Sequence, residues 1–186
     1  GPLYNARSCQ RCHLKDGRGH PPANAEDDAV SMLVRLSVPP ATDAERQLLA
    51  DRQALVIAEP TYGSQLQDFA VPGLSGEGRV KVTYEDVPVD LNGGETVTLR
   101  KPTLEITDPG FGPMRPDTML SARIAQPMIG LGLLEAVAET DILAKADPED
   151  SNGDGISGRP NMVRDAETGD VVLGRFGWKA IQPSIR

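Results

Sequence analysis

Two cysteines and a histidine stand within five residues near the start of the chain, in the order Cys9-Gln10-Arg11-Cys12-His13. This Cys-x-x-Cys-His spacing is typical of the attachment site for c-type haem. Two thiols at this spacing add across the vinyl groups of the porphyrin, and the adjoining histidine binds the iron through a ring nitrogen. We therefore predict a covalent haem on Cys9 and Cys12, with His13 as an axial iron ligand.

Three other interpretations of the pentapeptide remain open at this point. A zinc site would need a second pair of ligands, but the chain has no further cysteine and His20 is its only other histidine. A redox-active dithiol normally follows a strand of a βαβ unit, which is not visible before Cys9. The pattern can also occur by chance. Haem is favoured because three residue types fixed within five positions make a specific signal.

The ligand on the other side of the iron would decide between chemistry and electron transfer. A sulfur or nitrogen ligand closes the iron, whereas an open or water-held position admits peroxide. The candidates are Met32, Met114, Met119, Met128, Met162 and His20. Most methionines fill cores, and His20 lies only seven residues from His13. Met128 is the preferred candidate because it lies in a Gly- and Pro-rich segment before a predicted helix. A sixth position that is vacant or held by water is an equal alternative.

Arginines near the motif could bind the anionic haem propionates, because a guanidinium offers planar, bidentate donors. We predict this role for Arg7, with Arg11 and Arg18 as further candidates. Arg123 could instead stabilise the charge that develops as the O–O bond of a bound peroxide breaks. The alternative for each is an ordinary solvent-exposed arginine.

The loop of residues 150–156 resembles the opening half of a calcium loop, with oxygen-bearing residues at alternate positions. The predicted ligands are the side chains of Asp150, Asn152 and Asp154 and the backbone carbonyl of Ile156. Asn161 stands where an EF-hand has its bidentate glutamate, so Asp147, Asp165 or water would have to complete the site. A plain Asp/Asn/Gly turn is the alternative.

Hydrophobic periodicity predicts the elements that carry these residues. Asn24 is a candidate N-cap for a helix that includes Val30, Leu33 and Val34 and ends before Pro39, and residues 42–53 begin with a capping-box signature. Alternation of apolar and polar residues predicts antiparallel strands over 78–107. Residues 119–146 have a helical stripe, and residues 147–177 form a loop.

These elements predict an α+β fold, namely a mainly helical, cytochrome c-like haem domain with a small antiparallel β insertion and long loops. We expect a haem-attachment segment with helices over 1–77, the β-rich insertion over 78–107, and a helical segment with the calcium-type loop over 108–186, all in one domain.

The charge balance excludes some classes of protein. The chain has 19 Lys and Arg against 27 Asp and Glu, a formal net charge of −8. Nucleic-acid binding needs a basic face, so we expect no such partner.

A membrane span needs about 20 mostly apolar residues, and no such run occurs. The chain also begins without the basic and apolar regions of a signal peptide, which we interpret as a mature or trimmed chain.

Several segments outside the pentapeptide carry a resemblance to a known family. They are residues 1–8, 14–19 and 174–179, Tyr62-Gly63-Ser64-Gln65-Leu66-Gln67-Asp68, and residues 121–135. Together they resemble the di-haem oxidoreductases, often labelled thiol oxidoreductases, which are related to the bacterial di-haem cytochrome c peroxidases. Members carry a second haem motif that this chain lacks, so the resemblance implies an N-terminal haem-domain fragment or a shortened member.

The resemblance implies a periplasmic, peroxidase-like oxidoreductase that takes part in electron transfer and hydroperoxide reduction. Its electrons would come from a redox partner protein or the missing second haem domain. In the related peroxidases, calcium orders the region between the haem domains. Two alternatives stay open: an electron-transfer cytochrome domain with six-coordinate iron, and a calcium-stabilised binding module without haem. Thioether bonds to haem would consume both sulfurs, so the family label "thiol oxidoreductase" gives no evidence of thiol exchange in this chain.

Overall fold

The computed structural model describes residues 1–185, apart from the side chains of residues 15 and 16. The chain forms two compact units. The first unit consists of Gly1–Ala41 and Val56–Pro127, and the second of Thr42–Leu55 and Met128–Arg186. The predicted boundaries of the three sequence segments stay a prediction.

The helices are short, and over residues 1–185 the strands pair as four separate, two-stranded antiparallel sheets. The helices are α1 (Cys9–Cys12), α2 (Leu14–Gly17), α3 (Asp43–Ala50), α4 (Leu131–Ala136) and α5 (Glu139–Leu143). The strands are β1 (Leu3–Tyr4), β2 (Met32–Ser37), β3 (Phe69–Ala70), β4 (Arg79–Asp90), β5 (Thr96–Thr107), β6 (Met119–Ile124), β7 (Met162–Arg164) and β8 (Val171–Leu173). The pairs are β1 with β3, β2 with β6, β4 with β5, and β7 with β8.

The prediction of a mainly helical, cytochrome c-like fold is wrong. Only 14 % of the chain is helical, whereas 30 % is β-structure in small antiparallel sheets. Among the described residues the longest helix is α3, with eight residues. Helices this short are marginal in isolation. The β pairing between distant segments, rather than helix packing, therefore builds the fold.

The core of the first unit is centred on β2, which pairs with β6 in register from Met32↔Ile124 to Ser37↔Met119. Alternate residues of β2 are buried, as a strand with one face on a core requires. The buried cluster consists of Ala29, Met32, Val34, Leu36, Tyr62, Leu66 and Val82.

The predicted helix over Val30, Leu33 and Val34 is therefore wrong, because this segment leads into β2. Val30, Leu33 and Val34 match the helical spacing. In the strand it is Met32, Val34 and Leu36 that alternate and are buried. Pairing with β6, more than 80 positions later, selects the strand. For the same reason Met119–Ile124 is not helical, and the predicted helix over 119–146 is reduced to α4 and α5.

Two local predictions are confirmed. Thr42 caps α3, because its Oγ1 accepts from the backbone N–H of Glu45 while the Glu45 carboxylate accepts from the N–H of Thr42. Strands β4 and β5 occupy the segment predicted to be β-rich, paired without a bulge from Arg79↔Thr107 to Asp90↔Thr96. Both features depend on residues close in sequence.

The second unit has a small core of Val163, Leu173 and Phe176 around the β7–β8 pair. The guanidinium of Arg175 donates to the carbonyl oxygens of Leu134, Glu135 and Val137, at 3.3, 3.1 and 2.5 Å. Arg175 thereby supplies a donor to the last carbonyls of α4 and to that of its C-cap Val137, where donors within the helix run out. Within residues 1–185, no helix is long and apolar enough to span a bilayer.

Candidate functional site

The two thiols of the attachment motif lie on a single helical turn. Ser8 begins α1 with its Oγ accepting from the backbone N–H of Arg11 at 3.3 Å, and the N–H of His13 donates to the Cys9 carbonyl at 2.9 Å. Residues three apart on a helix share a face, so Cys9 and Cys12 are presented on the same side. Both are free thiols, with Cys9 exposed and Cys12 half-buried.

The imidazole of His13 is held in one tautomer. Its Nδ1 lies 2.8 Å from the backbone carbonyl oxygen of Gln126. A carbonyl oxygen can only accept, so Nδ1 carries a proton, and in the neutral imidazole the lone pair is on Nε2. A histidine that ligates a metal through one nitrogen usually donates from the other to such an oxygen. His13 thus fits the ligand role that the sequence predicts.

The backbone around the motif is fastened to the end of β6. The N–H of Gly19 donates to the Ala125 carbonyl at 3.0 Å, and the N–H of Ala125 donates to the Ser31 carbonyl at 2.7 Å. The buried hydroxyl of Ser31 donates to the Cys12 carbonyl at 2.8 Å. These bonds fix the segment that carries both thiols relative to the carbonyl that orients His13.

Replacing Gly19 by alanine is expected to disturb this contact. A Cβ at Gly19 would lie 2.6 Å from the carbonyl oxygen and 2.8 Å from the Cβ of Ala125, so the backbone must move. We expect a loss of about 1–3 kcal/mol in the free energy of unfolding, as for other overpacked sites, and a lower haem-to-protein ratio. Urea unfolding and absorbance measure the two effects. The control Gly132→Ala adds a Cβ with nothing within 4 Å, and equal behaviour of the two variants would contradict the prediction.

Arg7, just before the motif, and Arg11, between its two cysteines, line the same cavity. This cavity has a volume of about 340 Å³ and is also lined by Tyr4, Asn5, Ala6 and Phe69. The Nε of Arg7 donates to the Tyr4 hydroxyl at 2.9 Å, and its guanidinium lies 5.7 Å from the centre of that ring. Two cationic side chains at a cavity next to α1 are suited to bind carboxylates. The propionate role of Arg7 stays a prediction.

Asp68 is a functional candidate that the sequence analysis did not single out. Its Oδ1 accepts from Asn5 Nδ2 at 2.8 Å, and burial raises the pKa of this carboxyl to about 6. Burial also raises the pKa of the Cys12 thiol, and the negative charge of Asp68 adds to that effect. The signal available in the sequence was its place in the family-like segment 62–68.

Comparison with known proteins decides the family. The family model described as "Di-haem oxidoreductase, putative peroxidase" matches residues 1–186. The chain belongs to the di-haem oxidoreductase family. Neither the curated proteins nor the solved structures contain a match to the chain. Membership in this family supports a redox role and a haem cofactor. Covalent attachment to the Cys-x-x-Cys-His motif of this di-haem oxidoreductase stays a prediction.

Arg123 of this di-haem oxidoreductase lies on β6, on the face opposite the core. Its neighbours on the core face, Ala122 and Ile124, pair with buried residues of β2. The Nε of Arg123 donates to Ser121 Oγ at 3.1 Å. Its proposed action on peroxide stays a prediction.

The candidates for the sixth iron ligand differ in burial. Met32 belongs to the core, with 6 % of its surface exposed, and Met114 packs against that core. Met119 and Met128 are exposed. Met162 lies in β7, and His20 Nδ1 lies 3.2 Å from the Pro21 carbonyl oxygen. The burial of Met32 agrees with a role in core packing. The role of Met128 as a ligand stays a prediction.

The acidic loop of the second unit is held by its own backbone. Asp147 accepts from the N–H groups of Ser151 and Asn152, at 2.8 and 3.3 Å, and Asp154 accepts from that of Ile156 at 2.8 Å. The N–H of Ser151 is the main cause of a lowered pKa at Asp147. In the described part of the chain, no group of three or more His, Cys, Asp and Glu side chains is arranged to hold a metal ion. The calcium site through Asp150, Asn152, Asp154 and Ile156 stays a prediction.

Proposed function

We propose that this chain is the haem c-binding domain of a periplasmic, peroxidase-like oxidoreductase that takes part in electron transfer and hydroperoxide reduction. The observation that carries the proposal is the 2.8 Å hydrogen bond from His13 Nδ1 to the Gln126 carbonyl. It leaves Nε2 as a metal-binding atom directly after two free thiols on one helical turn. The family match supplies the redox class.

Each residue of the site has a defined task in this proposal. When bound, the haem supplies a redox-active iron that exchanges one electron at a time. Cys9 and Cys12 anchor the porphyrin, and the Gln126 carbonyl keeps His13 oriented with Nε2 available to the iron. Arg7 neutralises a propionate, and Arg123 stabilises charge on the oxygen that leaves the peroxide.

The overall reaction needs partners. A hydroperoxide takes up two electrons and two protons and gives an alcohol, or water when the substrate is hydrogen peroxide, together with one water. A redox partner protein or a second haem domain would deliver the electrons, because the two cysteines of this chain allow one covalent haem.

The decisive experiment is export of the full chain into the periplasm of a bacterium that matures c-type cytochromes. A pyridine haemochrome assay and a mass measurement should find one covalent haem. High-spin ferric iron that binds cyanide or peroxide would support peroxide reduction. Low-spin iron that binds neither cyanide nor peroxide would overturn peroxide reduction and leave electron transfer. The Met128→Ala variant would then test Met128 as the sixth ligand. A processed protein without the mass of haem would contradict the whole proposal and favour a binding module.

We also propose calcium in loop 150–156. Millimolar calcium is then expected to raise the melting temperature, since a ligand at 100 times its Kd stabilises by about 2.7 kcal/mol. Asp154→Asn should weaken the effect, and Glu167→Gln, a change on an exposed turn outside the loop, should leave it unchanged. An equal response to magnesium, or no response at all, would contradict the prediction.

A further inference from the structure

The half-buried carboxyl of Asp68 is one end of a chain of side-chain hydrogen bonds in the first unit. Arg35 Nη1 donates to Gln65 Oε1 at 3.1 Å, Gln65 Nε2 donates to Asn5 Oδ1, and Asn5 Nδ2 donates to Asp68 Oδ1 at 2.8 Å. Every donor in this series points towards Asp68. This series of hydrogen bonds orients the Asp68 carboxyl and polarises it from the cationic end at Arg35.

Asp68 also lines a cavity of about 480 Å³. The backbone at Gly76 packs so closely that a Cβ there would lie 2.3 Å from the Asp68 carbonyl oxygen. The charged residues that line the cavity with Asp68 are Asp27, Asp28, Asp108, Arg79 and Lys81. Asp68 is thus oriented by Asn5 and belongs to the lining of a cavity, the place from which a proton would reach it.

The charges around Asp68 set its ionisation. Burial is the main cause of its raised pKa, Asp28 adds to it by repulsion, and the hydrogen bond from Asn5 opposes it. The charge of Asp68 in turn acts on the thiol of Cys12. Since Cys12 is the predicted point of attachment, the charge of Asp68 would also act on a porphyrin bound there.

We propose that Asp68 takes up a proton from the cavity when the haem gains an electron, so that haem reduction and proton uptake at this carboxyl are coupled. One electron from the redox partner converts ferric to ferrous iron, and one proton from water converts the carboxylate to the acid. Both leave again on oxidation. The physical reason is that added negative charge near a half-buried carboxylate disfavours its ionised form. This inference rests on the proposed haem binding.

The test is the midpoint potential of the exported, haem-loaded chain as a function of pH. One proton per electron changes the reduction equilibrium up to tenfold per pH unit, which corresponds to about 59 mV. We expect the potential to fall with rising pH from about 6 upwards, until the higher pKa of the reduced protein is passed. Asp68→Asn should remove this dependence, because the amide still accepts from Asn5 but does not titrate.

Asp108→Asn is the matched control. It removes the same charge from the same cavity, and asparagine tolerates the φ of +52° at this position. The control should keep the pH dependence. The proposal is overturned if Asp68→Asn keeps the pH dependence of the potential. It is also overturned if Asp108→Asn loses that dependence equally, because the effect would then come from the summed charge of the cavity and not from Asp68.

Two further measurements do not depend on turnover. The reduced-minus-oxidised infrared spectrum should show a protonated carboxylic acid in the wild type and in Asp108→Asn, and its persistence in Asp68→Asn would overturn the proposal. In the full chain without haem, carbon NMR should show Asp68 titrating near 6, whereas titration near the ordinary 3.8 would overturn it. Failure of haem attachment itself appears separately, in the haemochrome assay and the mass.

Discussion

Replacing Cys9 and Cys12 together by serine will abolish covalent haem attachment in the exported protein. A serine hydroxyl does not add to a vinyl group as a thiol does, and the chain has no third cysteine to substitute. We expect the ratio of extraction-resistant haem to protein to fall from about one to near zero. The single variants should retain one thioether at best. Mass spectrometry of the denatured protein measures all three outcomes.

Two controls separate attachment from ligation. Arg11→Gln lies between the cysteines but leaves both thiols, so it should keep the covalent haem. His13→Ala should also allow some attachment while changing the spin state of the iron, because it removes Nε2 and keeps the thiols. Haem that survives acid–acetone extraction in the double serine variant would contradict the attachment through these sulfurs.

Replacing Glu59 by alanine will lower the free energy of unfolding by about 2–4 kcal/mol, the range for losing a buried charged acceptor. The side chain is 2 % exposed. Its carboxylate accepts from the backbone N–H groups of Thr61, Tyr62 and Arg115, at 2.6, 2.7 and 3.1 Å. Alanine leaves these donors without their acceptor, which costs more than the bonds themselves contribute. Urea unfolding of the full chain measures the loss.

The pH dependence of Glu59 follows from the same contacts. Burial acts to raise the pKa of this carboxyl, but the N–H groups of Tyr62, Arg115 and Thr61 outweigh it and lower the pKa below the ordinary 4.5. The unfolded chain therefore binds the proton first as pH falls. The stabilisation is present above about 4.5 and is lost as the pH falls through the lower folded value.

Glu59→Gln should accordingly unfold with a weaker dependence on acid pH than the wild type. The exposed Glu95, at the turn of the β4–β5 hairpin, offers the matched control, and Glu95→Gln should behave as the wild type. Equal acid sensitivity in Glu59→Gln and the wild type would show that other carboxylates dominate the transition.

Features that depend on neighbours along the chain can be predicted from the residues alone. The Cys9–His13 motif occupies five consecutive residues, so its chemistry can be predicted before any fold is known. The capping box of Thr42 and Glu45 spans four residues. The β4–β5 hairpin joins strands through a short turn, and alternation of apolar residues along each strand is sufficient to predict it.

Which distant segments meet is a property of the folded chain. Val30, Leu33 and Val34 fit the spacing of a helix, whereas the buried residues Met32, Val34 and Leu36 fit the two-residue period of a strand. Pairing with the distant β6 selects the strand. Gln126 orients His13 across 113 positions, and its contribution is a backbone carbonyl, which every residue type has. Asp68 meets Asn5 across 63 positions. The sequence shows which side chains can carry out the chemistry, whereas long-range pairing determines the hydrogen bonds and burial that set their tautomer and pKa.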